Sequence, residues 1–200
     1  MRITLIRHGM TPGNRLRQYI GSTDQPLAPE GAAFLRPQPV QPEQVLVTPL
    51  RRTAQTAALL FPNARQTVVD DLREMDFGDF ECRSYADMAD DPVYRAWVEG
   101  GCLAPCPNGE SMEAFSRRVC AAFSAVVAEA AARQEDDLYF VIHGGAIMAI
   151  LEHFALPRRP YFDYAVDNVR GYVCRAVPEG GLTLTALTPW APCPGTEVNA

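Results

Sequence analysis

The stretch TLIRHGMT, residues 4–11, drives an apolar run straight into an arginine and a histidine. With Arg2 and Ile3 ahead of it, RITLI over 2–6 has the β-branched and large apolar content of a buried strand. Arg7, His8 and Gly9 mark the strand's end. An arginine and an imidazole at a strand end either turn into solvent or face a common ligand. One triplet does not separate those cases, so the reading turns on what stands at the other strand ends.

Working outward, QVLV (44–47), QTVV (66–69) and LYFVI (138–142) read as further buried strands. Two more runs, 171–177 and 182–187, flank Pro178, Glu179, Gly180 and Gly181, a hairpin-turn composition. Helical patterns fit 50–60 and 145–154, and Pro157 and Pro160 stop the second from running further. The clearest helix covers 111–133, where Met112, Phe115, Val119, Phe123, Val126 and Ala130 recur at three- and four-residue spacing. Pro37, Pro39 and Pro42 make 36–43 an extended loop. No repeat or low-complexity tail interrupts this alternation. It predicts an α/β protein with three layers, α/β/α, around a mostly parallel central sheet, as a single domain over 1–200.

The composition narrows the functional classes. Apolar residues make up 48% and charged residues 21%, as in an ordinary globular protein. The net charge of −6 argues against nonspecific nucleic-acid binding. No signal-peptide pattern opens the chain and no window approaches a membrane span, so the expectation is a cytoplasmic protein with no membrane partner. Six cysteines at 82, 102, 106, 120, 174 and 193 form no CxxC pair and lie near no histidine cluster, so no zinc or other metal is expected. Their scattered spacing fits reduced thiols better than disulfides. All 18 basic residues are arginine. Without lysine there is neither a Walker-type phosphate lysine nor a Schiff base. An anion site must then use arginine, histidine and backbone N–H groups, and arginine suits bidentate contact with phosphate oxygens.

Ligands of open parallel sheets bind outside the carboxyl ends of the strands. After 44–47 come Thr48 and, at a helix start, Arg51 and Arg52; after 66–69 come Asp70, Asp71, Arg73 and Glu74; after 138–142 come His143, Gly144 and Gly145. Taken singly, each reads as well as a solvated turn or surface group. Together, two histidines, at least two arginines and one acid on one rim suit an anion with three equatorial oxygens, the requirement of phosphoryl transfer.

LIRHGMTPGN, continuing into RLRQYIGSTDQPLAPEG, resembles the opening of the histidine phosphatase superfamily, whose fold is phosphoglycerate-mutase-like. TPLRRTAQTA, LREMDFGDFE and VIHGGAIMAIL resemble its later signatures, and CPNGESMEAFSRRV the segment before the long helix of its small phosphatases. The matches run in family order from residue 3 to about 175. The resemblance implies His8 as the nucleophile that becomes phosphohistidine. It implies Arg7, Arg52 and His143 as ligands of the phosphoryl oxygens, and Glu74 as proton donor to the leaving alcohol and then base for water. Asn14, Gly21 and the Gly144 backbone N–H are implied as supporting contacts. The chemistry of the residues would allow the two histidines to exchange roles; only the family pattern favours His8. No metal or other cofactor is implied.

Met10, Thr48 and Cys82 depart from the usual glutamate, serine and glycine, and the helix after residue 31 ends early, near Leu35. The short, lysine-free chain resembles the phosphatases rather than the mutases of the family, and among them the α-ribazole-phosphatase-like and broad-specificity kinds. The expected function is hydrolysis of a small phosphorylated metabolite. The alternatives are phosphoglycerate mutase-type transfer and a catalytically idle member that binds a phosphorylated ligand. An insert over about 76–110 is expected to cap the pocket and set specificity. Its Phe77, Phe80, Tyr85, Tyr94, Arg95 and Trp97 either contact the leaving group or pack between helices. The oligomeric state, monomer or homodimer, is left open.

Overall fold

The computed structural model describes residues 1–177 and 180–193. The apolar runs become β1 (Arg2–Arg7), β2 (Gln44–Val47), β3 (Arg65–Val68), β4 (Asp137–Ile142), β5 (Gly171–Val177) and β6 (Thr183–Trp190). They form one six-stranded sheet in the order β3-β2-β4-β1-β5-β6. The pairs β1–β4, β2–β3 and β2–β4 are parallel, whereas β5 and β6 add an antiparallel edge. The mostly parallel expectation therefore holds on the side that carries the chemistry.

The helices are α1 (Pro12–Arg15), α2 (Pro29–Ala33), α3 (Arg51–Leu60), α4 (Pro92–Glu99), α5 (Met112–Ala132) and α6 (Gly144–Phe154). Residues alternate between the two faces of the sheet, as period-2 strands must. Ile3, Leu5, Leu46, Phe140 and Ile142 pack with Phe115, Val119 and Phe123 of α5 and Ile147 and Ile150 of α6. Ile6, Val45, Val47 and Val141 pack on the other face with Ala57 and Leu60 of α3. These are the three layers. Ser111 caps α5 by accepting from the Ala114 N–H at 3.1 Å.

Two sequence readings need correction. The 66–69 run reads as a buried strand, but β3 is an exposed edge strand with only Thr67 partly covered. β6 extends to Trp190, beyond the expected 187, because an edge strand tolerates Pro189. The expected hairpin turn falls partly on Pro178 and Glu179, outside the described residues; Gly180 and Gly181 have φ of +76° and +113°.

The register of β1 against β4 builds the rim. Arg7 pairs with Ile142, and the His8 N–H donates to the Ile142 carbonyl at 2.9 Å. The next residue on each strand is a histidine, so His8 and His143 emerge side by side, ring centroids 5.3 Å apart.

Candidate active site

His8 is 4% exposed. Its Nδ1 lies 2.7 Å from the Gly9 carbonyl. A carbonyl only accepts, so Nδ1 carries the proton and Nε2 keeps its lone pair, with no protein partner among the described residues. Burial, and then the positive charges of Arg52 and Arg7, hold the imidazole pKa well below its usual value. His8 is thus a neutral imidazole with one free nitrogen.

His143, fully buried, has none free. The Arg52 Nε–H donates to its Nδ1 at 3.3 Å, which puts the ring proton on Nε2, 2.9 Å from the Thr48 hydroxyl. Thr48 in turn meets Thr53 at 3.1 Å. Burial and the neighbouring Arg52 keep His143 neutral as well. The Thr48 hydroxyl joins the two partners in this network.

Arg52 is fully buried at the first turn of α3. Beyond His143 it donates through Nη1 to the Thr23 carbonyl and through Nη2 to the Gly21 carbonyl, both at 2.8 Å. Three of its five N–H groups are thereby fixed, and two remain for a ligand. Arg51 points elsewhere, to an exposed ion pair with Asp24. Arg7 donates through Nη1 to the Val166 carbonyl at 2.7 Å. Its Nε–H is sealed from solvent without an acceptor, one of two such side-chain atoms among the described residues. A buried guanidinium N–H without an acceptor is costly, and an anion beside it would relieve that cost.

Glu74 completes the rim. Its Oε2 accepts from the Gly145 N–H at 2.9 Å and its Oε1 from the Met75 N–H at 3.1 Å. Burial raises its pKa, outweighing the backbone hydrogen bonds and the nearby arginines that pull it down. Gly145 must be glycine for this contact, since a Cβ there would meet Glu74 Oε1 at 2.2 Å. The N-terminus of α6, at Gly144, opens onto the same spot with its positive dipole end.

The structure therefore gathers His8, Arg7, Arg52, Glu74 and His143 at adjacent strand ends. Asn14 lies at the cleft beside them. Gly21 behaves differently from the expectation of a ligand contact. Its N–H goes to Glu81 at 2.9 Å, its carbonyl to Arg52, and a Cβ would fall 1.7 Å from the Met75 carbonyl oxygen, so it shapes the loop that holds Arg52. Sequence reasoning passed over Glu81, whose carboxylate accepts from the N–H groups of Gly21, Ser22, Thr23 and Phe77. It also passed over Tyr161 and Asn168, which lie far along the chain and bear no spacing signal.

A cleft of about 310 Å³ leads from Arg7, Glu74 and Gly144 outward between Tyr19, Phe77, Trp97, Met112, Tyr161 and Phe162. Larger concavities, between α5 and α6 and at the amino ends of the strands, carry none of the rim residues. Of the side chains singled out over 76–110, Phe80 and Tyr94 are buried in the core, and Tyr85 and Arg95 are exposed. Phe77 and Trp97 do both, packing on Tyr19 and walling the cleft.

The profile of the histidine phosphatase superfamily (branch 1) matches residues 3–186, and the chain belongs to that family. It is similar to the adenosylcobalamin/alpha-ribazole phosphatase of Salmonella typhi, 30% identical over 84% of this chain and 87% of that protein. The alpha-ribazole phosphatase structure from Shigella flexneri superposes with a TM-score of 0.79 at 27% identity, covering 92% of this chain and 94% of that one. A Yersinia enterocolitica protein named "Probable phosphoglycerate mutase GpmB" is 32% identical over 76% of this chain and 73% of its own.

Proposed function

We propose that this chain hydrolyses a phosphomonoester in two displacements at His8, and that its substrate is a small metabolite with an aromatic leaving group, α-ribazole phosphate being the one its relatives suggest. The observation that carries the reading is the contrast between the histidines. His8 holds its Nδ1 proton on the Gly9 carbonyl and leaves Nε2 free, whereas both nitrogens of His143 are engaged.

In the first step the Nε2 lone pair attacks phosphorus and the ester P–O bond breaks. Glu74, its pKa raised by burial, gives its proton to the departing oxygen. Arg7, the two free N–H groups of Arg52 and the N-terminus of α6 stabilise the charge on the equatorial oxygens. His143 holds Arg52 at its Nε and so acts on the anion through it. In the second step the Glu74 carboxylate takes a proton from water. The oxygen attacks phosphorus, the P–N bond breaks, and the lone pair returns to Nε2. The products are the alcohol and inorganic phosphate.

The cleft favours hydrolysis of an ester whose alcohol carries an aromatic ring over a phosphoglycerate reaction. Arg7 is its one basic wall residue among the described residues, while a phosphoglycerate brings a carboxylate and, as the bisphosphate, a second phosphate. Tyr19, Phe77 and Trp97 instead offer rings to stack on an aromatic group. Six unpaired cysteines fit a reducing compartment, the cytoplasm. The test is a phosphomonoester panel of α-ribazole phosphate, sugar phosphates and phosphoglycerates ranked by kcat/KM. A preference of about a hundredfold for α-ribazole phosphate, roughly 3 kcal/mol of transition-state discrimination, is expected. A flat profile overturns the substrate, and mutase turnover without phosphate release overturns the reaction.

A further inference from the structure

The segment Val166–Arg170, ahead of β5, straps down the end of β1. The Val166 carbonyl accepts from Arg7 Nη1 at 2.7 Å. The Val169 N–H donates to the Arg7 carbonyl at 3.0 Å, and the Arg170 carbonyl accepts from the Arg7 N–H at 2.9 Å. Val169 has a φ of +57°, a left-handed conformation that a β-branched residue rarely adopts.

Between those contacts, Asn168 spends both hydrogens of its amide. Its Nδ2 donates to the His8 carbonyl at 3.0 Å and to Asn14 Oδ1 at 3.2 Å. Both amides are oriented without ambiguity. The Thr11 N–H, 3.1 Å from Asn14, requires Oδ1 there, and a carbonyl at His8 requires a donor from Asn168. Asn14 Oδ1 is thus held from two sides, and its Nδ2 is left without a protein partner among the described residues. Asn14 lines the cleft beside Arg7, and that Nδ2 is not among the sealed, unpartnered atoms.

We propose that Asn168 is a positioning residue that locks the Asn14 amide with its NH₂ presented to a phosphoryl oxygen and ties that donor to the backbone of His8. The inference rests on the phosphatase reading of the site. Its logic is substitution-sensitive. In Asn168→Asp the oxygens would face two acceptors, so the Asn14 amide must flip or move, turning an acceptor toward the anion. Asn168→Ala removes one of the two restraints and leaves the Thr11 contact.

The experiment is equilibrium binding of vanadate, read by calorimetry, to the wild type, Asn14→Ala, Asn168→Ala, Asn168→Asp and the Asn14→Ala/Asn168→Ala double variant, each checked by thermal unfolding. Asn168→Ala is expected to weaken binding about tenfold and Asn168→Asp more. In the Asn14→Ala background, loss of Asn168 should cost less than about twofold, because coupled residues are not additive. Equal losses in the two backgrounds, or Asn168→Asp binding like the wild type, overturn the inference and leave the phosphatase reading standing. A wild type that binds no vanadate takes down both.

Discussion

Gly145→Ala perturbs the Glu74 carboxyl through one added carbon. The new methyl carbon would lie 2.2 Å from Glu74 Oε1 and 3.0 Å from its Cδ. Relief to an ordinary contact moves the carboxyl by about 1 Å and breaks or lengthens its 2.9 Å bond from the Gly145 N–H. A lost hydrogen bond to a charged or proton-donating carboxyl is worth about 1.5–3 kcal/mol, and a 1 Å displacement of a catalytic group costs about a hundredfold in rate. Alanine meanwhile favours the helix over glycine by about 0.5–1 kcal/mol, which offsets only part of that loss, so the melting temperature should fall by a few degrees. The assay is single-turnover release of the leaving group from an alkyl phosphate and from p-nitrophenyl phosphate. The alkyl ester needs the Glu74 proton and should slow about a hundredfold; p-nitrophenolate departs without it and should slow only a few-fold. Equal loss on both esters, or none on the alkyl ester, would refute Glu74 as the acid.

The remaining predictions concern pH and one buried support. His8 and His143 have pKa values depressed in the fold, so the stability they contribute is complete above the unfolded value of about 6.5 and lost as pH falls below it. Glu74, raised by burial, has the opposite sign, its contribution being lost as pH rises through its folded pKa. Unfolding midpoints measured down from neutral pH should therefore fall less steeply in His143→Gln than in the wild type, and an unchanged slope would contradict the assignment. Release of an alkyl leaving group should decline as pH rises through the Glu74 pKa, a limb that Glu74→Gln abolishes. Glu81→Ala strands the backbone N–H groups of Gly21, Ser22 and Thr23, in the loop whose Gly21 and Thr23 carbonyls hold Arg52, and that of Phe77. It should cost about 3 kcal/mol in denaturant unfolding and weaken phosphate binding through Arg52; a stability loss with phosphate affinity intact would separate the loop from the site.

Much of this architecture lies open in the apolar runs. β1, β2, β4 and β5 are dense in β-branched and large apolar residues, and α5 repeats its core positions at helical spacing, so burial and pattern coincide. β3 misleads because an edge strand has the same local composition as an interior one; only its neighbours decide exposure. α4 went unread because Pro92 and the Asp91 cap begin a helix only eight residues long inside a loop-like stretch. The five rim residues could be named because each lies at or shortly beyond a strand end and the family resemblance picks it from its neighbours. Which histidine keeps a free nitrogen could not, since that depends on Arg52 and Thr48 meeting His143 across 91 and 95 residues. Asn168 is hidden for the same reason, its partners lying 154 and 160 residues away.

The central claim is a phosphoryl group carried on His8 Nε2. Rapid quench of the protein with labelled phosphomonoester, followed by peptide mapping and phosphorus NMR, tests it directly. The account predicts an acid-labile phosphohistidine at His8, bonded through Nε2 and absent in His8→Ala. Label on His143, or turnover with no labelled residue in the wild type, would contradict it.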